Sequence, residues 1–194
     1  SDLLLHNTTT GELRIVSLNG TAVLSDTIAL TLDPSFGLTP RCVADFTGDG
    51  RAEILVHSRV NGYTAMIFLD NTLAFASIEE VTTLDVPGGW VLQDSGDFNG
   101  DDKADLLTFN TNTGETAVSE MNGSAIVGTT TVTTLPPADN WVIQETADFD
   151  GDGKDDILTL HPSGVVAIIA LDGATIQNYY SPGMLAAGSH IVNA

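Results

Sequence analysis

The chain of 194 residues contains one cysteine and only six basic residues. Cys42 has no second cysteine with which to pair, which excludes an intramolecular disulfide, and its apolar surroundings predict a buried structural thiol rather than a nucleophile. Against the six bases stand 26 acids, which give a formal net charge of −20. Such an acidic chain is not expected to bind nucleic acid or an anionic membrane surface. The sequence also lacks a transmembrane run, so membrane insertion is not expected.

Catalytic signatures are missing as well. We find no Ser-His-Asp order with a supporting motif, no glycine-rich phosphate loop and no cofactor signature. His6 and His57 occupy equivalent places in the repeats described below, but Phe109 and Leu160 fill the other two places. A histidine cluster acting as a general base or a metal site is therefore not expected. We predict that the protein is not an enzyme and has no catalytic or cofactor-binding residues.

Acidic, glycine-containing segments are what the chain does contain. They begin at Asp45, Asp97 and Asp148, and each places oxygen-bearing side chains at relative positions 1, 3, 5 and 9. A chain that turns tightly at the intervening glycines can direct all four at one cation, and the carbonyl of position 7 can add a fifth ligand. Calcium prefers several oxygen ligands in a flexible cage. Without a cation these carboxylates would repel one another. The pattern predicts three calcium loops.

The EF-hand is an alternative, because its loop also opens with regularly spaced acids. An EF-hand needs a bidentate glutamate at position 12 and flanking helices. The twelfth residues here are Val56, Thr108 and Thr159, in runs that resemble strands. The acid lies at position 9 instead, so the EF-hand is disfavoured. A solvated Asp/Gly-rich turn is the simpler alternative, and three copies at a fixed spacing argue against it.

The loops belong to a longer internal repeat. Their first residues are 52 and 51 positions apart, and Asp2 lies 51 residues before Glu53, which marks a fourth copy of position 9. Each copy also carries a second turn, such as Met121-Asn122-Gly123. Periods of this length are typical of propellers, solenoids and arrays.

Short segments rich in β-branched residues fill each repeat, between Gly, Asn, Asp and Pro, which predicts strands. In the last full repeat the predicted strands cover 141–147, 156–160, 165–171 and 175–180. Four antiparallel strands per repeat are typical of a propeller blade. We therefore predict an all-β, single-domain β-propeller of four units, covering approximately 1–37 plus 189–194, 38–89, 90–140 and 141–188.

The two tryptophans and the two chain ends add further expectations. Trp90 and Trp141 are predicted to pack between blades, with a free aromatic binding platform as the alternative.

Residues 189–194 align with a first strand and are predicted to pair with the strand that contains Leu3 and Leu4, which would close a four-bladed ring and remove exposed edges. The alternative is that the four repeats belong to a longer array.

The recurring motif Asp-Phe-(Asn/Asp)-Gly-Asp-Gly-x-x-Asp, followed by Ile/Leu-Leu, resembles the FG-GAP and VCBS-type repeats of integrin-like β-propellers and of many bacterial secreted proteins. The resemblance covers nearly the whole chain and implies about three Ca²⁺ ions. The implied ligands are Asp45, Thr47, Asp49, Glu53 and the carbonyl of Arg51 in the first loop; Asp97, Asn99, Asp101, Asp105 and the carbonyl of Lys103 in the second; and Asp148, Asp150, Asp152, Asp156 and the carbonyl of Lys154 in the third.

Two departures from the motif affect these expectations. Thr47 is a neutral ligand and Glu53 is longer than aspartate, so the first loop is expected to bind most weakly. The third loop has four charged side-chain ligands and is expected to bind most tightly. Asp102 replaces the usual glycine of the second loop, which is tolerable because aspartate can adopt the left-handed conformation.

Taken together, these features predict a calcium-stabilised extracellular or cell-surface module that mediates protein–protein contact or assembly. Millimolar calcium outside cells can saturate loops of modest affinity. Two alternatives stay open: a carbohydrate-binding, lectin-like propeller whose partner is a glycan, and a non-catalytic domain of a larger secreted enzyme.

Overall fold

A computed structural model describes residues 2–186 and residue 191. Within that part, the chain forms fifteen β-strands and two short 3-10 turns, Pro34–Phe36 and Pro137–Asp139, and contains no α-helix. Accordingly, the described residues include no helix that is long and apolar enough to span a membrane. The prediction of an all-β protein is confirmed.

The strands form four separate sheets in chain order. Sheet 1 contains β1 (Leu3–His6), β2 (Glu12–Asn19) and β3 (Ala22–Thr31). Sheet 2 contains β4 (Leu38–Ala44), β5 (Glu53–Ser58), β6 (Tyr63–Leu69) and β7 (Phe75–Thr83). Sheet 3 contains β8 (Trp90–Gly96), β9 (Asp105–Asn110), β10 (Glu115–Asn122) and β11 (Ala125–Thr134). Sheet 4 contains β12 (Val142–Ala147), β13 (Asp156–Leu160), β14 (Val165–Asp172) and β15 (Thr175–Met184).

Sheet 4 shows how closely the strands follow the expectation. Its first three strands match the predicted ranges to within a residue, but β15 continues to Met184 rather than ending at residue 180. The pairing of β14 with β15 shifts register between Val166 and Ile168 and then continues to Val165 opposite Met184. Pro182 lies in this shifted stretch, where a strand tolerates a residue without an N–H. The pairing of the two strands therefore continues past the bulge to the end of β15.

Sheet 1 has three strands among the described residues. The fourth strand that the sequence predicts, over 189–194, falls almost entirely outside the described residues, and Ile191 is assigned to no strand. Closure of a ring through this segment therefore stays a prediction.

The chain divides into two compact units. The first comprises residues 1–43 and 52–86, and so contains sheet 1 and nearly all of sheet 2. The second comprises residues 44–51 and 87–194, and so contains the greater part of the first acidic loop together with sheets 3 and 4. The single-domain arrangement stays a prediction.

Each unit has its own apolar core. In the first unit the buried cluster consists of Leu13, Leu32, Ile54, Val56, Ala65 and Ile67. In the second it consists of Phe98, Leu107, Val118, Ile143, Ile157, Ile169 and Leu171. The inner strands supply most of these side chains: all six residues of β5 are buried, whereas β15 is almost entirely exposed. Cys42 lies on β4, an edge strand, and is half-buried rather than buried as expected.

A backbone contact recurs in all four sheets and ties the end of the last strand to an earlier turn. In each case the N–H of a leucine donates to the carbonyl of a turn glycine. The pairs are Leu32 to Gly11 at 2.9 Å, Leu84 to Gly62 at 2.9 Å, Leu135 to Gly114 at 2.8 Å and Leu185 to Gly164 at 2.7 Å. All four glycines have positive φ, a conformation that glycine adopts without a steric cost.

Candidate metal centre

The third acidic loop joins β12 to β13 and is folded around Asp148. One carboxylate oxygen of Asp148 accepts the N–H groups of Gly151 at 2.7 Å and Asp152 at 3.1 Å, and the other accepts that of Gly153 at 3.0 Å. The two glycines have φ of 83° and 86°. Their left-handed backbone turns the chain tightly enough to aim three successive amides at one side chain. The loop is therefore curled as the sequence predicts.

This curl brings acidic side chains together. One oxygen each of Asp148, Asp150 and Asp156 lie within 4.8 Å of one another. Asp156, the first residue of β13, is fully buried and accepts N–H groups from Leu171 at 3.0 Å and Phe149 at 3.1 Å. Burial raises its pKa, and the charges of neighbouring acids add to this effect against the two hydrogen bonds. Three converging carboxylates can hold a hard divalent cation.

The second loop joins β8 to β9 and has the same construction. Asp97 accepts the N–H groups of Gly100 at 2.7 Å, Asp101 at 3.2 Å and Asp102 at 2.8 Å. Asp102 has a φ of 64°, so the aspartate adopts the left-handed conformation expected where the motif has glycine. Within the described residues, Asp97, Asp101 and Asp105 do not converge as tightly as the three acids of the third loop.

Asp105 is the most unusual carboxylate of the second loop. It is 0% exposed, and one of its oxygens accepts the N–H of Met121 at 2.9 Å. The other oxygen, Oδ2, is buried and accepts no hydrogen bond of normal length and angle, although the amide of Phe98 lies close enough to influence the carboxylate. Burial raises the pKa of Asp105 to about 6, opposed by the amides of Met121 and Phe98 and reinforced by the charges of Asp101 and Asp97. A buried carboxylate oxygen without a donor is costly, and a cation in the loop would remove that cost.

The first loop is divided between the two units. Asp45, Thr47 and Asp49 lie in the second unit, and Glu53, which is buried at the start of β5, lies in the first. Asp45 accepts the N–H groups of Thr47 at 3.0 Å, Gly48 at 2.7 Å and Gly50 at 2.6 Å. Burial raises the pKa of Asp45, but these hydrogen bonds outweigh it, and the pKa lies below the ordinary value.

The basic residues at position 7 have a role that the sequence analysis missed. Their side chains form ion pairs with the acids at position 5, in addition to any use of their carbonyls as ligands. The nitrogen–oxygen distances are 2.9 Å for Arg51 with Asp49, 3.2 Å for Lys103 with Asp101 and 3.9 Å for Lys154 with Asp152. The two-residue spacing of opposite charges in all three loops was the available signal.

Successive loops are also joined to each other within the second unit. The carbonyl of Asp45 accepts the N–H of Ala104 at 2.7 Å, and the carbonyl of Asp97 accepts that of Asp155 at 2.7 Å. One residue further on, Phe46 accepts from Gly123 and Phe98 from Gly173, both at 2.8 Å. The first and second loops are thus each bonded to the loop and to the second turn of the following sheet. No local pattern in the sequence indicated these contacts.

His57 lies on the inner strand β5 of sheet 2. This histidine is 1% exposed. Its Nδ1 lies 2.9 Å from Thr64 Oγ1, and burial, assisted by the charges of Arg41 and Arg59, lowers its pKa to about 4.

Trp90 and Trp141 are both half-buried. The ring of Trp141 contacts that of His161 at a centroid distance of 5.1 Å. This contact was not foreseen, and it occupies part of a ring that was considered as a possible binding platform.

Several solved structures resemble the chain. Three of them are the dihydro-heme d1 dehydrogenase NirN in complex with DHE (13% identity, TM-score 0.48, 94% of this chain and 35% of that chain), BBS1N in complex with ARL6DN (17%, 0.41, 92% and 56%) and the V. cholerae biofilm matrix protein Bap1 (19%, 0.37, 92% and 35%). The chain therefore spans between about a third and just over half of the length of these proteins.

Comparison with curated proteins gave no match. The model of the FG-GAP-like repeat, however, matches residues 97–159, which run from the second acidic loop through the third. The resemblance inferred from the recurring motif is thereby confirmed over this stretch, and residues 97–159 form an FG-GAP-like repeat.

Proposed function

We propose that the chain is a calcium-stabilised β-propeller module that acts outside the cell by binding a protein partner or by contributing to an assembly, without a catalytic centre of its own. The observation that carries the calcium proposal is the buried Oδ2 of Asp105, which has no hydrogen-bond partner of normal geometry and lies at the last ligand position of a predicted cation loop. A polar atom that is buried without a partner calls for a ligand, and the chemistry of its neighbours favours a hard cation.

The surroundings of Asp105 support calcium over other occupants. The other candidate ligands, Asp97, Asn99 and Asp101, offer only oxygen, which suits calcium rather than a softer metal. A bound cation would be held by Asp97, Asp101 and Asp105, with Asn99 and the carbonyl of Lys103 completing the set. Its charge would replace the mutual repulsion of the carboxylates by attraction.

The place of the loops in the fold supports a structural role for the cation. In sheets 3 and 4 the loop connects the first strand to the second, and its backbone is bonded to the neighbouring loop. A cation would therefore order both the strand connection and the contact between sheets. Such a cation would stabilise the fold, as we expect of a module that binds a partner through its surface rather than of one that catalyses a reaction.

The proposed setting and partner follow from charge and from the same calcium requirement. Calcium outside cells reaches the concentration that loops of modest affinity need. The net charge of −20 disfavours nucleic acid and acidic membranes. A protein partner is preferred to a glycan because the ring of Trp141 contacts His161 and so offers a sugar a smaller free surface.

Calcium titration of matched variants tests the proposal. We expect calcium to bind the wild-type chain and to raise its melting temperature by several degrees for each saturated site, because saturation at a hundred times Kd contributes about 2.7 kcal/mol. Asp105→Asn keeps an acceptor for Met121 and removes the charge that the second loop uses for binding. This variant is expected to melt higher than the wild type in EDTA and to gain less from calcium.

Asp102→Asn is the control, because Asp102 is exposed, lies in the same loop and is not a predicted ligand. It is expected to keep the full calcium response. The absence of calcium binding by calorimetry to the folded wild-type chain, or an equal calcium response in the two variants, would overturn the proposal.

A further inference from the structure

One peptide group connects the second and third loops, both of which lie in the second unit. Its N–H belongs to Asp155 and donates to the carbonyl of Asp97 at 2.7 Å. Its carbonyl belongs to Lys154, the position-7 ligand predicted for the third loop. The C=O and N–H of a trans peptide point in opposite directions, so this group directs its N–H to the second loop and its carbonyl away from it.

The side chain of Asp155 makes a second bond to the same residue. Its carboxylate accepts the N–H of Asp97 at 2.9 Å and lies against Gly96, which is buried. A Cβ built on Gly96 would overlap Oδ2 of Asp155 and lie 2.9 Å from its Cβ. Gly96 does not have a positive φ, so the position requires a small residue and not a special backbone conformation.

The contact between the first and second loops keeps only the backbone bond. There Ala104 takes the place of Asp155, and its N–H donates to the carbonyl of Asp45 at 2.7 Å. Ala44 takes the place of Gly96. An alanine side chain accepts no hydrogen bond, so the carboxylate bond is particular to the second and third loops. The two positions differ together, because the larger Asp155 lies against a glycine.

Further bonds join the segments on either side of this contact. The N–H of Thr146 donates to the carboxylate of Asp94 at 3.2 Å, and its hydroxyl donates to the carbonyl of Ser95 at 3.0 Å. Beyond the contact, the N–H of Gly173 donates to the carbonyl of Phe98 at 2.8 Å. The first predicted ligand of the second loop is therefore held by sheet 4 on both sides along the chain.

We propose that the second and third loops bind calcium with positive coupling, and that Asp155 carries this coupling. The inference rests on the proposed calcium function, for which the buried Oδ2 of Asp105 is independent evidence. When the Lys154 carbonyl binds a cation, the shared peptide group is held in one orientation, and its polarised N–H becomes a stronger donor to Asp97. The carboxylate of Asp155 is held with it, so the second loop is ordered before its own cation binds.

The sign of the coupling separates this mechanism from plain electrostatics. A cation in one loop reduces the negative potential that attracts a cation to the other, so charge alone predicts that each site weakens its neighbour. At an ionic strength near 0.15 M this repulsion is screened over about 8 Å. Ordering through Asp155 predicts the opposite sign, and by linkage each site strengthens the other by the same factor.

Calcium titration followed by NMR tests the proposal, because it reports on each site separately. The N–H of Gly100 is bonded to Asp97 and that of Gly151 to Asp148, both at 2.7 Å, so their amide signals report on the second and third loops. Asp150→Ala removes one of the three converging carboxylates of the third loop and is expected to shift the Gly151 response to higher calcium. The Kd that Gly100 reports should then rise at least about fivefold, the lower end of typical couplings between sites.

The reverse experiment checks reciprocity. Asp101→Ala removes a predicted ligand of the second loop, and it is expected to raise the Kd that Gly151 reports by a similar factor. Circular dichroism confirms that each variant is folded before titration.

Substitutions of Asp155 test the route. In an Asp155→Ala background the effect of Asp150→Ala on the second site is expected to shrink, whereas Asp155→Asn keeps an acceptor for the Asp97 N–H and is expected to preserve it. Gly96→Ala displaces the Asp155 carboxylate without changing a predicted ligand. It should also reduce the effect, which provides a second test of the route.

The outcomes separate the coupling from the calcium function. If the Kd that Gly100 reports is unchanged or lower in Asp150→Ala, the coupling is overturned and calcium binding stands. An equal effect in the alanine and asparagine backgrounds of Asp155 would overturn its role as the carrier. Amides of Gly100 and Gly151 that do not respond to calcium in the folded wild type would overturn the proposed function and the coupling with it.

Discussion

Asp97 and Asp155 are joined by a reciprocal pair of hydrogen bonds. The N–H of Asp155 donates to the carbonyl of Asp97 at 2.7 Å, and the N–H of Asp97 donates to the carboxylate of Asp155 at 2.9 Å. Asp97 is the first predicted ligand of the second loop, and Asp155 precedes Asp156, the last predicted ligand of the third. The two loops are therefore linked through residues next to or within both candidate sites.

Asp155→Ala is expected to weaken calcium binding at the second loop, although Asp155 is not a predicted ligand. The substitution leaves the Asp97 N–H without its acceptor, and a lost hydrogen bond to a charged group costs about 1.5–3 kcal/mol. Asp155→Asn keeps an acceptor and is the control, since both variants remove the charge. Urea unfolding and calcium calorimetry should show the larger loss for alanine, and equal losses would contradict the role of this bond.

Lys103→Met is expected to strengthen calcium binding at the second loop. The ammonium of Lys103 pairs with Asp101 at 3.2 Å and so competes with a cation for a predicted ligand. Methionine keeps an apolar stem over Gly48 and removes the charge. An exposed ion pair contributes about 0.2–1 kcal/mol, so we expect the Kd of calcium at this loop to fall a few-fold. Lys103→Arg is the control, and a Kd unchanged between methionine and arginine would exclude competition by the side chain.

Gly114→Ala is expected to destabilise the protein severely. A Cβ on Gly114 would lie 1.9 Å from the carbonyl oxygen of Leu135, at a φ of 79°. Alanine there combines a backbone clash with left-handed strain, so we expect a loss of more than about 3 kcal/mol. Gly173→Ala is the matched control, because Gly173 has a φ of 62° and nothing within 4 Å of its added Cβ.

The control substitution should cost about 1 kcal/mol. Denaturant unfolding compares the two glycines directly. Similar losses at Gly114 and Gly173 would show that the recurring leucine contact imposes no steric demand.

His57 is expected to make stability depend on pH. Burial lowers its pKa from 6.5 to about 4, so between these values the unfolded chain binds a proton that the folded chain does not. The contribution of His57 is therefore complete above the ordinary pKa and is lost as the pH falls toward 4. Between pH 7 and pH 5 the wild type should lose about 2 kcal/mol more than His57→Asn.

The comparison with His57→Asn isolates this group, because other titrations affect both proteins. Guanidinium unfolding at several pH values provides the measurement. A stability difference between wild type and variant that stays constant from pH 7 to pH 5 would mean that the folded protein protonates His57 normally.

Local spacing in the sequence was enough to predict the acidic loops and most strands. The acids and glycines around Asp148 lie within nine positions, so their separation along the chain limits how they can meet in space. Alternation and turn residues act over similarly short distances, which is why the first three strands of sheet 4 were predicted to within a residue. The left-handed Asp102 follows from the same local reasoning, because backbone conformation depends on the residue itself.

Tertiary structure alone decided which distant groups meet. The bond between Asp97 and Asp155, the buried oxygen of Asp105 and the fit of Leu135 over Gly114 all depend on how separate strands and sheets pack. The continuation of β15 to Met184 likewise depends on a bulge in its pairing with β14. The same order of strands and turns recurs in each sheet because the local sequence pattern recurs. Contacts between residues far apart in the sequence form only when the burial of apolar side chains packs the strands together. The sequence by itself thus determined the repeats and their acidic loops, and packing decided how one loop is joined to the next.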